Sequence, residues 1–387
     1  METALSQPVQ QQQRTIVVDV LRGWALFGVV LMNYFDFFTL GQNWATFKPT
    51  TLDSVLFFIT NLLFSAKSWT LLSLLFGYGF AVLMNNIREK GHEPYRFFAG
   101  RMFWLFVLAF INSAIFFGDI LKDYAALGLL LLLFYRSSAK TTFWASTVLF
   151  LAIPPVAAFV NSLGDQSWNI VTSLFPKYLS HNLIDVFTFG LKATYFGEMI
   201  YQPYLYTVHL VMFCCMLWGF TLYKINFFAD LASKRKWILW AFWTGLALAV
   251  FFNVFFMVYQ QQKWLFLKHF QFRYWLVLST MICIGSGICW LYIAGKLKTV
   301  FQYFAWMGKM TLTNYIVQNI IGLLVFSGFG LGIWSTYPLW FYLLLATVIF
   351  IIQLFVSKWW LKKYNYGPIE WIWRQLSYRK KLPLKRT

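Results

Sequence analysis

Charge is scarce in this 387-residue chain: Asp, Glu, Lys and Arg make up 12% of it, against 60% hydrophobic residues. A soluble protein has no use for such an apolar surplus, so the scarcity excludes that class and points to an integral membrane protein. Acid is scarcer than base, 13 residues against 32, and the net charge is +19. The basic excess does not mark a nucleic-acid binder, because it lies in short loops and the C-terminal tail. Cysteine is also rare. Cys214, Cys215, Cys283 and Cys289 all sit in apolar runs without metal-ligand spacing. They read as packing residues, and neither a disulfide nor a metal site is expected. Only four histidines occur, at 92, 181, 209 and 269. His209 alone falls inside an apolar run. No internal repeat is evident, and no cleavable signal is expected before the first apolar run. "LLFGYGF" and "CIGSGIC" are small-residue patches suited to close helix contact rather than phosphate loops.

Aromatic residues, in contrast, are abundant. The 20 Trp and 21 Tyr suit belts at the two membrane interfaces. Runs of about 20 apolar residues, enough to span a bilayer, fall near 16–36, 68–87, 97–117, 120–135, 142–162, 204–223, 237–259, 274–294, 306–327 and 338–358. The expected fold is an all-α polytopic bundle of about ten transmembrane helices over residues 15–365. A disordered tail at 1–14 precedes it, and a basic aromatic tail at 366–387 follows. Joined to 68–87, the run 52–66 would make a helix of about 50 Å, too long for one crossing. A break is expected near Lys67 and Ser68, with 52–66 interfacial or re-entrant.

Of the 32 Lys and Arg, 23 fall in one set of termini and loops. That asymmetry places both termini in the cytoplasm. The longest loop on the other side, 163–203, carries Asp165, His181, Asp185 and Glu198. Loops of that length tend to be functional or disordered.

Polar residues inside a span are costly and need a partner or a task. The first span carries Asp19, Arg22, Asn33 and Asp36, which share one stripe roughly 100° wide on a helix. The stripe either fixes packing through an Asp–Arg pair or lines something polar across the bilayer. "GKMTLTNYIVQN" adds Lys309, Asn314 and Gln318, the last two as i, i+4 neighbours. Near the other end, Asn112, Asp119, Lys122, Asp123 and Tyr124 cluster, with Lys67 expected nearby. Two carboxylates on one face beside a lysine would serve general acid–base chemistry, or would be ordinary charges in a wetted loop. His209 would be a packing residue or a catalytic imidazole. After the last span, "YNYGPIEWIWRQLSYRKK", with Glu370 and Arg374, reads as a cationic amphipathic segment on the cytoplasmic membrane surface.

Five ordered motifs, "DVLRGWALFGVVLMNY", "LLFGYGF", "FFGDILKDYA", "GKMTLTNY" and "YGPIEWIWRQLSY", resemble the signatures of YeiB-type bacterial membrane proteins over about residues 14–380. The C-terminal half of that family is called domain of unknown function 418. The family is grouped with transmembrane acyltransferases, among them acyltransferase-3 O-acetylases and the lysosomal heparan glucosaminide acetyltransferase. The resemblance implies a multi-pass protein of the bacterial inner membrane that moves an acyl group from cytosolic acyl-CoA to an extracytoplasmic acceptor, a glycan or a lipid-linked molecule. It implies no metal. Transport or flipping of a small or lipid-linked metabolite is the alternative, and a non-catalytic scaffold the third. On the first reading, Arg22 and Lys309 hold the acyl-CoA phosphates at the cytoplasmic mouth, and Asp19, Lys67, Asn314, Gln318 and Arg374 are further substrate- or cofactor-binding candidates. Asp119 or His209 activates the acceptor, and Asn33 and Asn112 donate hydrogen bonds to the acyl carbonyl. Two positions depart from the relatives' pattern. Arg22 is matched, but Asn33 stands where acyltransferase-3 proteins have histidine, and Asn112 where YeiB-type proteins commonly have one.

Overall fold

The computed structural model describes residues 15–40, 47–262 and 268–386, with backbone alone for 259–262. The tail expected at 1–14 lies outside the described residues. The helices are, in order, α1 (Ile16–Leu40), α2 (Thr51–Leu63), α3 (Lys67–Glu89), α4 (Pro94–Ile115), α5 (Leu121–Leu131), α6 (Ala139–Ser162), α7 (Ser167–Ser173) and α8 (Phe175–Tyr178). They continue with α9 (Leu183–Thr194), α10 (His209–Lys224), α11 (Arg235–Gln262), α12 (Arg273–Ile293), α13 (Lys298–Lys309), α14 (Thr311–Phe326), α15 (Leu339–Lys363) and α16 (Pro368–Tyr378). The protein is an all-helical, multi-pass membrane protein. Among the described residues, eight helical runs are long and apolar enough to cross a bilayer.

Two of the ten expected spans are shorter. The 120–135 run forms an 11-residue α5 closed by a 3-10 turn at Leu132–Phe134. The 306–327 run breaks at Met310 into α13 and α14, the latter 16 residues long. The cause is a distant side chain. Glu370 of α16 accepts from Leu312 N at 2.7 Å, Thr313 N at 3.1 Å and the Thr313 hydroxyl. A helix N-terminus leaves such amides without intrahelical partners, and a carboxylate satisfies them. The tail therefore does not lie free on the membrane surface. Trp373 seals it to α4, donating Nε1–H to Arg101 O at 3.0 Å while the Arg101 guanidinium stands 3.7 Å over its ring.

The break between α2 and α3 falls at Phe64–Ala66, with Ala66 at φ +62°. A capping box between Thr50 and Asp53 starts α2, whose Leu52, Val55, Phe58 and Ile59 face outward. Elsewhere glycine sets the packing distance. A Cβ on Gly77 of α3 would collide with the Met216 carbonyl of α10, and one on Gly219 of α10 with the Leu74 carbonyl of α3. Gly23 and Gly308 join α1 to α13 in the same way. The 163–203 segment is folded rather than open. It holds α7 to α9 and a π-helical turn at Tyr195–Ile200, and it caps the end of the bundle where α4 stops.

Candidate functional site: a basic cavity leading to a buried carboxylate cluster

A cavity of about 1060 Å³ opens at the end of the bundle where α1 begins and α16 docks. Asp19, Arg22, Arg101, Lys309, Arg374 and Lys381 line its mouth, and Leu105, Ile120, Tyr124 and Tyr315 its inner end. Asp19 and Arg22 pair at 3.1 Å one turn apart on α1, with Asp19 fully buried. Pairing offsets much of the cost of burying that carboxylate. The C-terminal residues past α16 form part of the wall. Two backbone bonds, Asn365 N to Leu384 O at 2.8 Å and Arg386 N to Lys363 O at 3.0 Å, hold them in place.

The inner end meets a network that draws on five segments. Asp119, in the short connection between α4 and α5, is fully buried. Its Oδ1 accepts from Asn112 Nδ2 at 2.9 Å, from the Tyr315 hydroxyl at 3.0 Å and from Leu121 N at 3.3 Å. Its Oδ2 has no hydrogen-bond partner among the described residues. Asn319 of α14 donates to Asn112 Oδ1 at 3.2 Å. Tyr315 thus lines the cavity and touches Asp119 at once.

Lys122 stands beside this group. Its ammonium bonds to Asp119 O at 2.8 Å, pairs with Asp123 at 3.1 Å and contacts Glu198 from the π-helical turn. Asp123 also takes the Tyr204 hydroxyl at 2.7 Å and faces His209 Nε2 at 2.9 Å. His209 Nδ1 lies 2.8 Å from Leu205 O. A carbonyl only accepts, so Nδ1 carries hydrogen, and the contact to Asp123 needs a further proton on Nε2 or on the carboxyl. Three of the chain's 13 acids meet here around one lysine, and all four side chains are buried. Among the described residues, no group of three or more His, Cys, Asp or Glu is placed to hold a metal ion.

The structure gathers some of the residues expected from sequence and disperses others. Asp19, Arg22, Lys309 and Arg374 line one cavity, and Asn112, Asp119 and His209 belong to one network. Lys67 does not join them: its ammonium bonds to Asn61 O at 2.5 Å across the α2–α3 turn. The stripe on α1 does not run the length of the bilayer as a lining. Asp36 is exposed, and the buried Asn33 Nδ2 finds no partner among the described residues and no link to Asn112 or Asp119. Asn112 gives one amide N–H to Asp119 and accepts from Asn319 through its oxygen, so it positions Asp119. Asn314 and Gln318 turn away from the cavity. Asn314 Nδ2 donates to Ser357 Oγ at 2.9 Å and Gln318 Nε2 to Gln353 Oε1 at 2.7 Å, which fastens α14 to α15. Tyr204, Tyr315 and Asn319 were not singled out from sequence, and Glu198 only as one charge of a long loop. Acid scarcity was the available signal for Glu198.

Comparison with known proteins finds relatives along most of the chain. The family described as "Protein of unknown function (DUF418)" matches residues 222–380. The chain is similar to the uncharacterized protein YxaH of Bacillus subtilis (strain 168), 28% identical over 98% of both chains. It is also similar to an uncharacterized 39.9 kDa protein in the amylase 3' region of Bacillus acidopullulyticus, 26% identical over 97% of both. The uncharacterized protein YeiB of Escherichia coli (strain K12) is 25% identical over 95% of this chain and 97% of its own. No solved structure matches.

Proposed function

We propose, for a chain that belongs to the YeiB-type DUF418 family, that it is a transmembrane acyltransferase fed with acyl-CoA from the cytoplasm. One observation carries the reading: a single cavity whose mouth is ringed by cations ends against Tyr315, which bonds to a buried carboxylate with one bare oxygen. Arg22, Lys309 and Arg374 hold the phosphates of the donor, since cations bind phosphate oxygens through short, charge-assisted bonds. The narrow apolar part past Leu105 takes the thioester arm. An acceptor hydroxyl, from a glycan or a lipid-linked molecule, approaches from the opposite face. Asp119 Oδ2 takes its proton as the oxygen attacks the acyl carbonyl. The C–S bond breaks, and the proton taken up by Asp119 passes to the leaving sulfur, so CoA leaves as the thiol and the carboxylate is regenerated. The Tyr315 hydroxyl lies beside this centre, and Asn112 and Asn319 hold Asp119 in place.

The Lys and Arg excess at the cavity end supports a cytoplasmic mouth and cytoplasmic termini in a bacterial inner membrane. Reporter fusions after Ser180 and after Lys234 test this orientation, with an outer-side signal from the first and a cytoplasmic signal from the second. The activity is tested in proteoliposomes loaded with glycan or lipid-linked acceptors and supplied externally with labelled acetyl-CoA. Label appearing on a lumenal acceptor supports acyl transfer. Uptake of an intact small molecule with no thioester cleavage supports the transporter reading instead.

A further inference from the structure

A second hollow, of about 300 Å³, opens near the cavity end of the bundle. Arg88 from the last turn of α3, Arg136 just past the 3-10 turn and Lys224 at the end of α10 line it, together with Asn85, Tyr135 and Tyr223. None of the three cations forms an ion pair among the described residues. Arg88 donates to Asn85 Oδ1 at 3.1 Å, Arg136 stands 5.8 Å over the Tyr95 ring, and Lys224 stands 5.1 Å over the Phe220 ring. Glu89 is occupied by the Asn85 amide at 2.6 Å. The Tyr135 hydroxyl is buried and has no partner among the described residues, although it is a strong donor.

Cations at helix C-termini are common, because they complement the carbonyl ends. That accounts for the sequence positions of Arg88 and Lys224. It does not account for a hollow enclosed by three cations, or for a buried hydroxyl left bare inside it. Leu133, 78% exposed, and the outward-facing Leu129 and Leu130 continue from the same corner as apolar surface.

We infer that this hollow binds a phosphate-bearing anion, held by Arg88, Arg136, Lys224 and the Tyr135 hydroxyl. Its volume is at the lower end of small-ligand sites, enough for a phosphate with a small substituent. A lipid headgroup and a soluble phosphate share that chemistry. The adjoining leucines favour the lipid, whose chains would lie along α5.

The test uses the full-length protein purified in a neutral detergent, with native mass spectrometry for retained lipid and thermal shift for soluble ligand. The probes are phosphatidylglycerol against phosphatidylcholine, and inorganic phosphate. The wild type is expected to retain phosphatidylglycerol preferentially. The double variant R88Q/K224Q is expected to lose about tenfold in affinity and Tyr135→Phe several-fold, with Lys192→Gln on α9 unchanged. Stabilisation by inorganic phosphate that those variants abolish, without preferential lipid retention, upholds the site and assigns it to a soluble phosphate. Wild-type binding of both probes by a folded R88Q/K224Q overturns the inference. If that protein does not fold, unchanged binding in Tyr135→Phe overturns it.

Discussion

The hydroxyl of Tyr315 on α14 reaches Asp119 Oδ1 at 3.0 Å across 196 positions of sequence. The contact joins the wall of a basic cavity to a buried carboxylate whose second oxygen has no hydrogen-bond partner among the described residues. Everything proposed about catalysis passes through this junction. Substituting Asp119 with Asn removes the base and keeps the shape. Turnover is expected to fall by about 10²–10⁴-fold, the usual span for a positioned acid or base. Tyr315→Phe is expected to lose about tenfold while leaving acyl-CoA affinity unchanged. His209→Gln loses less than Asp119→Asn, because both imidazole nitrogens are already engaged. Steady-state kinetics in reconstituted membranes decide the order, and full turnover in Asp119→Asn removes it as the base.

Lys122 is the single lysine amid Asp119, Asp123 and Glu198. Replacing it with Met strands buried carboxylates, and breaking such a pair costs about 3–5 kcal/mol. The expected result is a large drop in unfolding temperature and in membrane yield. Adding Glu198→Gln to Lys122→Met removes one of the stranded charges and is expected to recover part of the loss. A Lys122→Met protein as stable as the wild type would show that the cluster is solvated.

Much of this arrangement was legible in the sequence where the deciding forces are local. The break beside Lys67 follows from a run too long for one bilayer crossing. The Asp19–Arg22 pair follows from i, i+3 spacing. The break at Met310 was not legible, because "GKMTLTNY" is flanked by helix-forming residues and the carboxylate that takes the freed amides, Glu370, is 58 positions away from Leu312. Burial raises the pKa of Glu370, against which the Thr313 bonds act. Asn314 and Gln318 looked like a lining because they are i, i+4 neighbours. Their partners Ser357 and Gln353 lie on α15, and no periodicity within α14 reveals them. Asp119 was legible as a candidate base, but its bare oxygen emerged only from the full set of its neighbours.

The α14–α15 contact gives a test of that correction. Interhelical amide bonds in membranes contribute about 0.6 kcal/mol on average. The double change Gln318→Leu with Gln353→Leu is therefore expected to leave acyl-CoA affinity and turnover within about twofold. Loss of acyl-CoA binding, measured by equilibrium dialysis, would return Gln318 to the binding path.

Asp165 clamps the folded segment at the opposite end, accepting from Ser167 N at 2.7 Å and Gln202 N at 2.7 Å. The Ser167 side-chain hydroxyl foremost, then the backbone bonds from Gln202 and Ser167, hold its pKa below the ordinary aspartate value. A depressed pKa means that the clamp is fully present above the unfolded-state value of about 3.9 and is lost as pH falls through the lower, folded one. Hydrogen exchange at the Gln202 amide is expected to quicken only as pH falls into that acid range, after correction for intrinsic rates. In Asp165→Asn the amide should exchange faster than in the wild type at neutral pH. An exchange rate at neutral pH unaffected by Asp165→Asn would contradict the clamp.

The central claim is that the cavity of about 1060 Å³ is an acyl-CoA site. The most direct measurement is equilibrium binding of labelled CoA to the full-length protein in nanodiscs, repeated at rising salt and with the charge-reversal pair Lys309→Glu and Arg374→Glu. The account predicts saturable binding of one CoA per chain, weakened by salt and reduced at least tenfold by either reversal in protein of unchanged unfolding temperature. Absence of saturable CoA binding, or binding indifferent to both reversals, would contradict it.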